Sequence, residues 1–185
     1  MISDIVHDAE NRMTKAVESA RHDYTTIRTG RANPAILEKV MVDVYGTKMP
    51  INQVANISVP EPRQLLIVPW DKSMIPHIEK GILKSDIGMN PNTDGAGIRL
   101  IIPQLTEERR KEFIKTLHKK AEEHRVAVRN IRRDANEHLK ALEKSSEASE
   151  DEVKRAQEQI QKLTDKYIEQ IESITKAKEA ELMEV

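Results

Sequence analysis

TEERRKEFIKTLHKKAEEHRVAVRNIRRDANEHLKALEK, residues 106–144, places Phe113, Leu117, Ala121, His124, Val128, Ile131, Ala135, Leu139 and Leu142 at gaps of three and four. That spacing keeps them on one side of a helix, as a seam to be buried. Thr106 stands where a side chain caps the first turn, and Glu107 and Glu108 suit the positive end of the helix dipole. Continuous to Lys144, such a helix is about 57 Å long at 1.5 Å per residue.

Two further seams flank it. On the C-terminal side, Ser145 to Ser149 interrupt the pattern, and Ser149 with Glu152 forms an S-x-x-E capping box that opens another helix. Its seam is Val153, Ala156, Ile160, Leu163, Tyr167, Ile171, Ile174 and Leu182. At the N-terminus, Ile2, Val6, Ala9, Met13, Ala16, Ala20, Tyr24 and Ile27 repeat in the same way. Gly30 follows, where a helix commonly stops. A short connection makes the last two helices antiparallel. Three seams from one chain can bury one another, which favours an intramolecular bundle over the alternative, a dimeric coiled coil.

Residues 31–104 follow other rules. Val40 to Tyr45 alternate by two and run into Gly46-Thr47, a turn signal. Residues 65–68 and 98–102 are short strand-like runs, and 74–86 can form a helix with Ile75, Ile78, Ile82 and Leu83 inward. Proline at 50, 60, 62, 69, 91 and 103 keeps elements short. The expected architecture is α plus α+β: a long antiparallel three-helix bundle, residues 1–30 and 105–185, with an inserted small β/α/β domain, residues 31–104. Two connections join them, Thr29-Gly30-Arg31 and Pro103-Gln104-Leu105, and either a swivel or a rigid elbow satisfies the sequence.

Composition narrows the function. The formal net charge is -1, so no general affinity for nucleic acid follows. The average hides a basic stretch at 106–144 followed by an acidic one at 145–185. With no cysteine there is no disulfide framework, thiolate metal site or cysteine nucleophile. MISDIVHDAE has no apolar core of a signal peptide, and Leu65 to Val68 is too short to span a bilayer. A soluble, cytoplasmic protein is expected. The six histidines, at 7, 22, 77, 118, 124 and 138, make no i, i+4 metal pair with a nearby carboxylate. His124 lies on the seam and reads as a packed side chain. Gly95-Ala96-Gly97 precedes a strand and opens no helix, unlike a dinucleotide loop. No catalytic residue, metal site or cofactor emerges.

One feature stands out. Arg125, Arg129 and Arg132 share a helix face, with Arg133 beside them, and like charges at that spacing repel. Either carboxylates such as Asp134, Glu137 and those of the last helix pair with them, or they await phosphates, which guanidinium groups bind bidentately. Aromatic residues make up only 3% of the chain, so an RNA ligand would be held by backbone charge and shape more than by base stacking. The arginines lie about 35 Å along the helix from Thr106.

Several motifs then occur in order: IRTGRANP (27–34), YGT (45–47), GMNPN (88–92), PQLTEERRKE (103–112), RVAVRNIRRDAN (125–136) and KLTDKYIEQIE (162–172). Together they closely resemble the bacterial ribosome recycling factor family over the whole chain, with Trp70 where another aromatic is expected. The resemblance implies an L-shaped, tRNA-sized monomer whose bundle lies on large-subunit rRNA across the A and P sites of the post-termination ribosome. It implies that elongation factor G, with GTP, acts on the second domain to split the subunits and release mRNA and tRNA. The factor itself is no enzyme, holds no cofactor and needs no membrane. The resemblance assigns rRNA binding to Arg132 and Arg129 first, with Arg133 and Arg125, and hinge roles to Thr29, Gly30, Arg31, Pro103, Gln104 and Leu105.

Overall fold

The three seams close on one another within a single chain. The computed structural model describes residues 1–184, in the order α1 (Ile2–Thr25), β1 (Met41–Val44), β2 (Thr47–Pro50), β3 (Ala55–Glu61), β4 (Gln64–Pro69), α2 (Ile75–Lys84), β5 (Asn92–Asp94), β6 (Gly97–Ile101), α3 (Glu107–Lys144) and α4 (Glu150–Met183). Met13 and Val17 of α1, Val128 and Leu139 of α3, and Ile160 and Ile171 of α4 share one buried cluster. Pairs between helices fix their directions. Arg12 meets Asp134 while Asp23 meets Lys120, so α1 and α3 are antiparallel. Thr14 meets Tyr167 while Tyr24 meets Thr175, so α1 and α4 are parallel. Arg125 meets Glu172 while Arg132 meets Gln161, so α3 and α4 are antiparallel.

The caps behave as their chemistry requires. The Arg109 N–H donates to Thr106 Oγ1 at 3.1 Å, and the Glu152 N–H donates to Ser149 Oγ at 3.2 Å. Between α3 and α4, Ser146 takes φ 60°, turning the chain back on itself.

Three expectations need correction. α1 stops at Thr25, ahead of Gly30. The run Thr25-Thr26-Ile27 is β-branched throughout, which weakens a helix end with little left to pack. Ile27 and Thr29 are nonetheless buried, in irregular backbone. Val17 is buried at 3% exposure whereas Ala16 is only partly covered, so the seam drifts by one position in mid-helix. Leu83, expected to face inward, is 62% exposed, because it follows Ile82 by 100° of helix rotation and Ile82 takes the core position.

The remaining elements form a second compact unit. Cα packing divides the chain into Met1–Tyr24 with Glu112–Ala180, and Thr25–Lys111 with the C-terminal residues from Glu181. In the second unit, four antiparallel strands lie in the order β3-β4-β6-β5 and β1-β2 forms a separate hairpin. Their core includes Leu37, Val42, Leu65, Ile67, Ile78, Ile98 and Leu100. β2, β3 and β5 were not legible as strands. β3 contains Pro60, tolerated beside a register shift between Ser58 and Glu61. The hairpin turn is at Tyr45-Gly46, with φ of 50° and 84°, the pair of left-handed residues that a tight two-residue hairpin needs. Gly95-Ala96-Gly97 is likewise a hairpin, and at Gly97 a Cβ would stand 2.5 Å from the Ile67 carbonyl oxygen.

Candidate nucleic-acid interface

Packing of the three helices decides which arginines are available. α3 packs into the three-helix core along Val128, Ile131 and Ala135, so residues one or two positions off that seam emerge at its edges with their stems half-buried. Arg125, Arg129 and Arg132 emerge in this way, whereas Arg133 is exposed.

Their partners differ. Arg125 is clamped: Nε donates to Glu122 Oε2 at 3.0 Å and Nη1 donates to Glu172 Oε1 at 2.6 Å. Its side chain is only 20% exposed. Burial works to lower its pKa, but the Glu122 and Glu172 carboxylates outweigh burial and the net shift is upward, so the charge is fixed. Arg129 shares Glu122 loosely, at 3.5 Å. Arg132 Nη1 reaches only the neutral Gln161 Oε1 at 3.4 Å, and Arg133 Nη1 only Asn130 Oδ1 at 3.4 Å. Among the described residues neither forms an ion pair. Asp134 is occupied by Arg12 of α1 at 3.2 Å.

The row therefore divides. Glu122 and Glu172 relieve the repulsion around Arg125, which ties α3 to α4 within the molecule. Arg132 and Arg133 keep guanidinium faces uncommitted to any carboxylate. Repeated i, i+3 and i, i+4 spacing revealed the row, but could not show that Glu172, 47 positions from Arg125, would take one of its members.

Farther along the bundle a polar cluster replaces apolar packing. Asp23 receives Lys120 Nζ at 2.8 Å and sits 2.9 Å from His124 Nε2. Burial raises its pKa, but hydrogen bonds and charge from Lys120 and His124 prevail and lower it overall. His124 meets the Tyr24 ring edge-on, with centroids 6.1 Å apart, so it is packed as its seam position suggested. The Thr175 hydroxyl donates to the Ile171 carbonyl, so the Tyr24 hydroxyl must be the donor in their 2.9 Å bond. Burial raises the Tyr24 pKa, keeping that proton in place. Thr164, Thr175 and Lys178 of α4 are buried as well, although none belongs to the largely apolar seam that the spacing picks out.

The connecting segments are held by backbone hydrogen bonds. The Ala32 N–H donates to the Pro62 carbonyl at 2.7 Å, and the Ile102 N–H donates to the Arg63 carbonyl at 2.8 Å. The Arg63 guanidinium returns two bonds to the Ile102 carbonyl, at 2.8 and 3.2 Å. The β3–β4 turn thus anchors both strands of chain, a role no motif announced. Thr29 Oγ1 accepts the Arg31 N–H at 3.1 Å, and Arg31 makes a bidentate pair with Glu184. Gly30 has no atom within 4 Å of a Cβ position and no left-handed φ, so its contribution is freedom and not fit. Pro103 and Gln104 are exposed.

Fold and site together define a class: a helical rod with a charged face and an inserted α+β unit. The family model for ribosome recycling factor matches residues 20–183. Ribosome-recycling factors from Desulfitobacterium hafniense and Heliobacterium modesticaldum are 63% and 60% identical over 185 residues, covering 100% of both chains. A solution structure of the ribosome recycling factor superimposes with a TM-score of 0.77 at 47% identity, covering 100% of this chain and 98% of the other. A structure for the T. thermophilus ribosome recycling factor and E. coli elongation factor G bound to the E. coli post-termination complex gives 0.69 at 42% identity, covering 100% of both chains. The chain belongs to the ribosome recycling factor family.

No described helix is long and apolar enough to cross a membrane, and no described cluster of His, Cys, Asp or Glu could hold a metal ion.

Proposed function

We propose that this chain acts in the cytoplasm as a monomeric ribosome recycling factor, binding the post-termination ribosome and, with elongation factor G and GTP, separating its subunits. Full-length identity to recycling factors carries the reading. The chemistry of α3 supports a division of labour within it. Arg132 and Arg133, with Arg129 loosely held, are the groups left to neutralise large-subunit rRNA phosphates around the A and P sites, and release of counterions would drive their binding. Arg125 would act by stiffening the rod. The domain division at 1–30 with 105–185 against 31–104 belongs to the same proposal. So does bending at Thr29-Gly30-Arg31 and Pro103-Gln104-Leu105. The anchoring of Ala32 and Ile102 to the β3–β4 turn supports it, because any movement would then concentrate in those few residues.

The test is light scattering of post-termination ribosomes mixed with this protein, elongation factor G and GTP. Scattering should fall as subunits separate, and should hold steady when any one component is left out. Dissociation that proceeds equally well without this chain would end the reading.

A further inference from the structure

The second unit carries a basic hollow that the rRNA-facing row on α3 does not explain. On α2, His77, Lys80 and Lys84 occur at spacings of three and four and share one helix face. That face is brought against the β1–β2 hairpin by Gly81. A Cβ there would stand 2.6 Å from the Met41 carbonyl oxygen, so only glycine lets the helix approach so closely. The contact places Lys80 and Lys84 beside Lys39, which precedes β1, and Lys48 of β2, around a hollow of about 350 Å³.

These charges are not committed to partners. Among the described residues, none of the four lysines lining the hollow forms an ion pair or a side-chain hydrogen bond. Asp43 is the carboxylate on the rim, and its Oδ1 is engaged by the Gly46 N–H at 3.1 Å, where it holds the hairpin turn. Four exposed ammonium groups drawn from three separate parts of the chain face this one carboxylate, so the hollow keeps a net positive charge.

We infer that the hollow bounded by Lys39, Lys48, Lys80 and Lys84 is a second phosphate-binding site that holds a stretch of RNA backbone. Each ammonium group binds phosphate as a point charge, and a strand that carries one phosphate per nucleotide can meet several of them at once. The site belongs to the second unit and the arginines of α3 to the first, and it shares with the proposed function only the premise that the target is a ribosome.

The chain's lack of cysteine makes the direct test simple. Lys84→Cys supplies a single thiol for a photo-crosslinker on the full-length protein, which is then bound to post-termination ribosomes and irradiated. Label on rRNA is the expected result. Label on ribosomal protein alone, or none from a protein that still co-sediments, overturns the site.

A second measurement uses the triple change Lys39→Gln, Lys80→Gln and Lys84→Gln, which spares Gly81 and the core. The slope of log affinity for ribosomes against log salt should become shallower by roughly two to three, given nearly one unit per neutralised phosphate, and arginine at the same positions should restore it. A parental slope in the triple variant, together with a changed slope in Arg132→Ala, removes the hollow and leaves the proposed function standing. Parental slopes in both remove both.

Discussion

Replacing Arg125 by alanine should weaken the rod, whereas replacing Arg132 should leave its stability untouched, although the two residues lie on one helix face. The difference rests on partners. Arg125 is largely covered and meets carboxylates at 2.6 and 3.0 Å from two helices. Exposed pairs contribute about 0–1 kcal/mol, whereas breaking a fully buried pair costs about 3–5 kcal/mol. Glu122 and Glu172 are about half exposed, at 55% and 46%, so screening holds the cost near the lower end, at about 1–2 kcal/mol. For a chain of this size each kcal/mol lowers the melting midpoint by about 2–4 °C, which predicts a drop of about 2–8 °C. Arg132→Ala removes a 3.4 Å contact to a neutral amide and should stay within about 0.5 kcal/mol. Thermal denaturation followed by circular dichroism measures both. A double-mutant cycle between Arg125 and Glu172 isolates their coupling, expected at about 1 kcal/mol. Coupling of zero, or equal losses in Arg125→Ala and Arg132→Ala, would refute the division of the row.

Other consequences can be checked independently. Gly97→Ala should destabilise the α+β unit by about 1–3 kcal/mol in urea unfolding, since its methyl would meet the Ile67 carbonyl and the φ of 141° disfavours any side chain. Asp23 has a lowered pKa in the folded protein, so its contribution is complete above the ordinary value of 3.8 and is lost as pH falls through the folded value below it. The melting-temperature gap between parent and Asp23→Asn should accordingly be wide at neutral pH and should close in that acidic range. Tyr24→Phe removes one buried donor but leaves Thr175 bonded to Ile171, so equilibrium unfolding should register about 1 kcal/mol and no more. Gly30→Ala meets no steric obstacle and should preserve ribosome binding while slowing subunit splitting in a stopped-flow scattering assay.

The long elements were legible because their signals are local and repeated. Thr106 and Ser149 cap the helices they were expected to cap, and the seams of α3 and α4 run through Leu117, Val128, Ile160 and Ile171 as their spacing implied. The end of α1 was misplaced because Ile27 keeps the helical period and is buried although the helix has already stopped. β2, β3 and β5 were hidden for another reason. Thr47–Pro50 and Asn92–Asp94 have no alternating apolar face, and exist as strands because the hairpin partners Met41–Val44 and Gly97–Ile101 supply the ladder. The arginine row was visible as a repeat, yet the loss of Arg125 to Glu172 depends on a pairing between helices that spacing within one helix cannot encode. The lysine hollow is hidden in the same way, since its members are distributed from Lys39 to Lys84 and meet only because Gly81 lets α2 touch β1.

The claim beneath the rest is that α3 presents guanidinium groups held in reserve for phosphate. Ribosome co-sedimentation of the parent and Arg132→Ala across a salt series addresses it most directly. The account predicts weaker binding and a salt slope shallower by about one unit, with an unchanged melting temperature. An Arg132→Ala protein that binds with the parent's affinity and slope would contradict it.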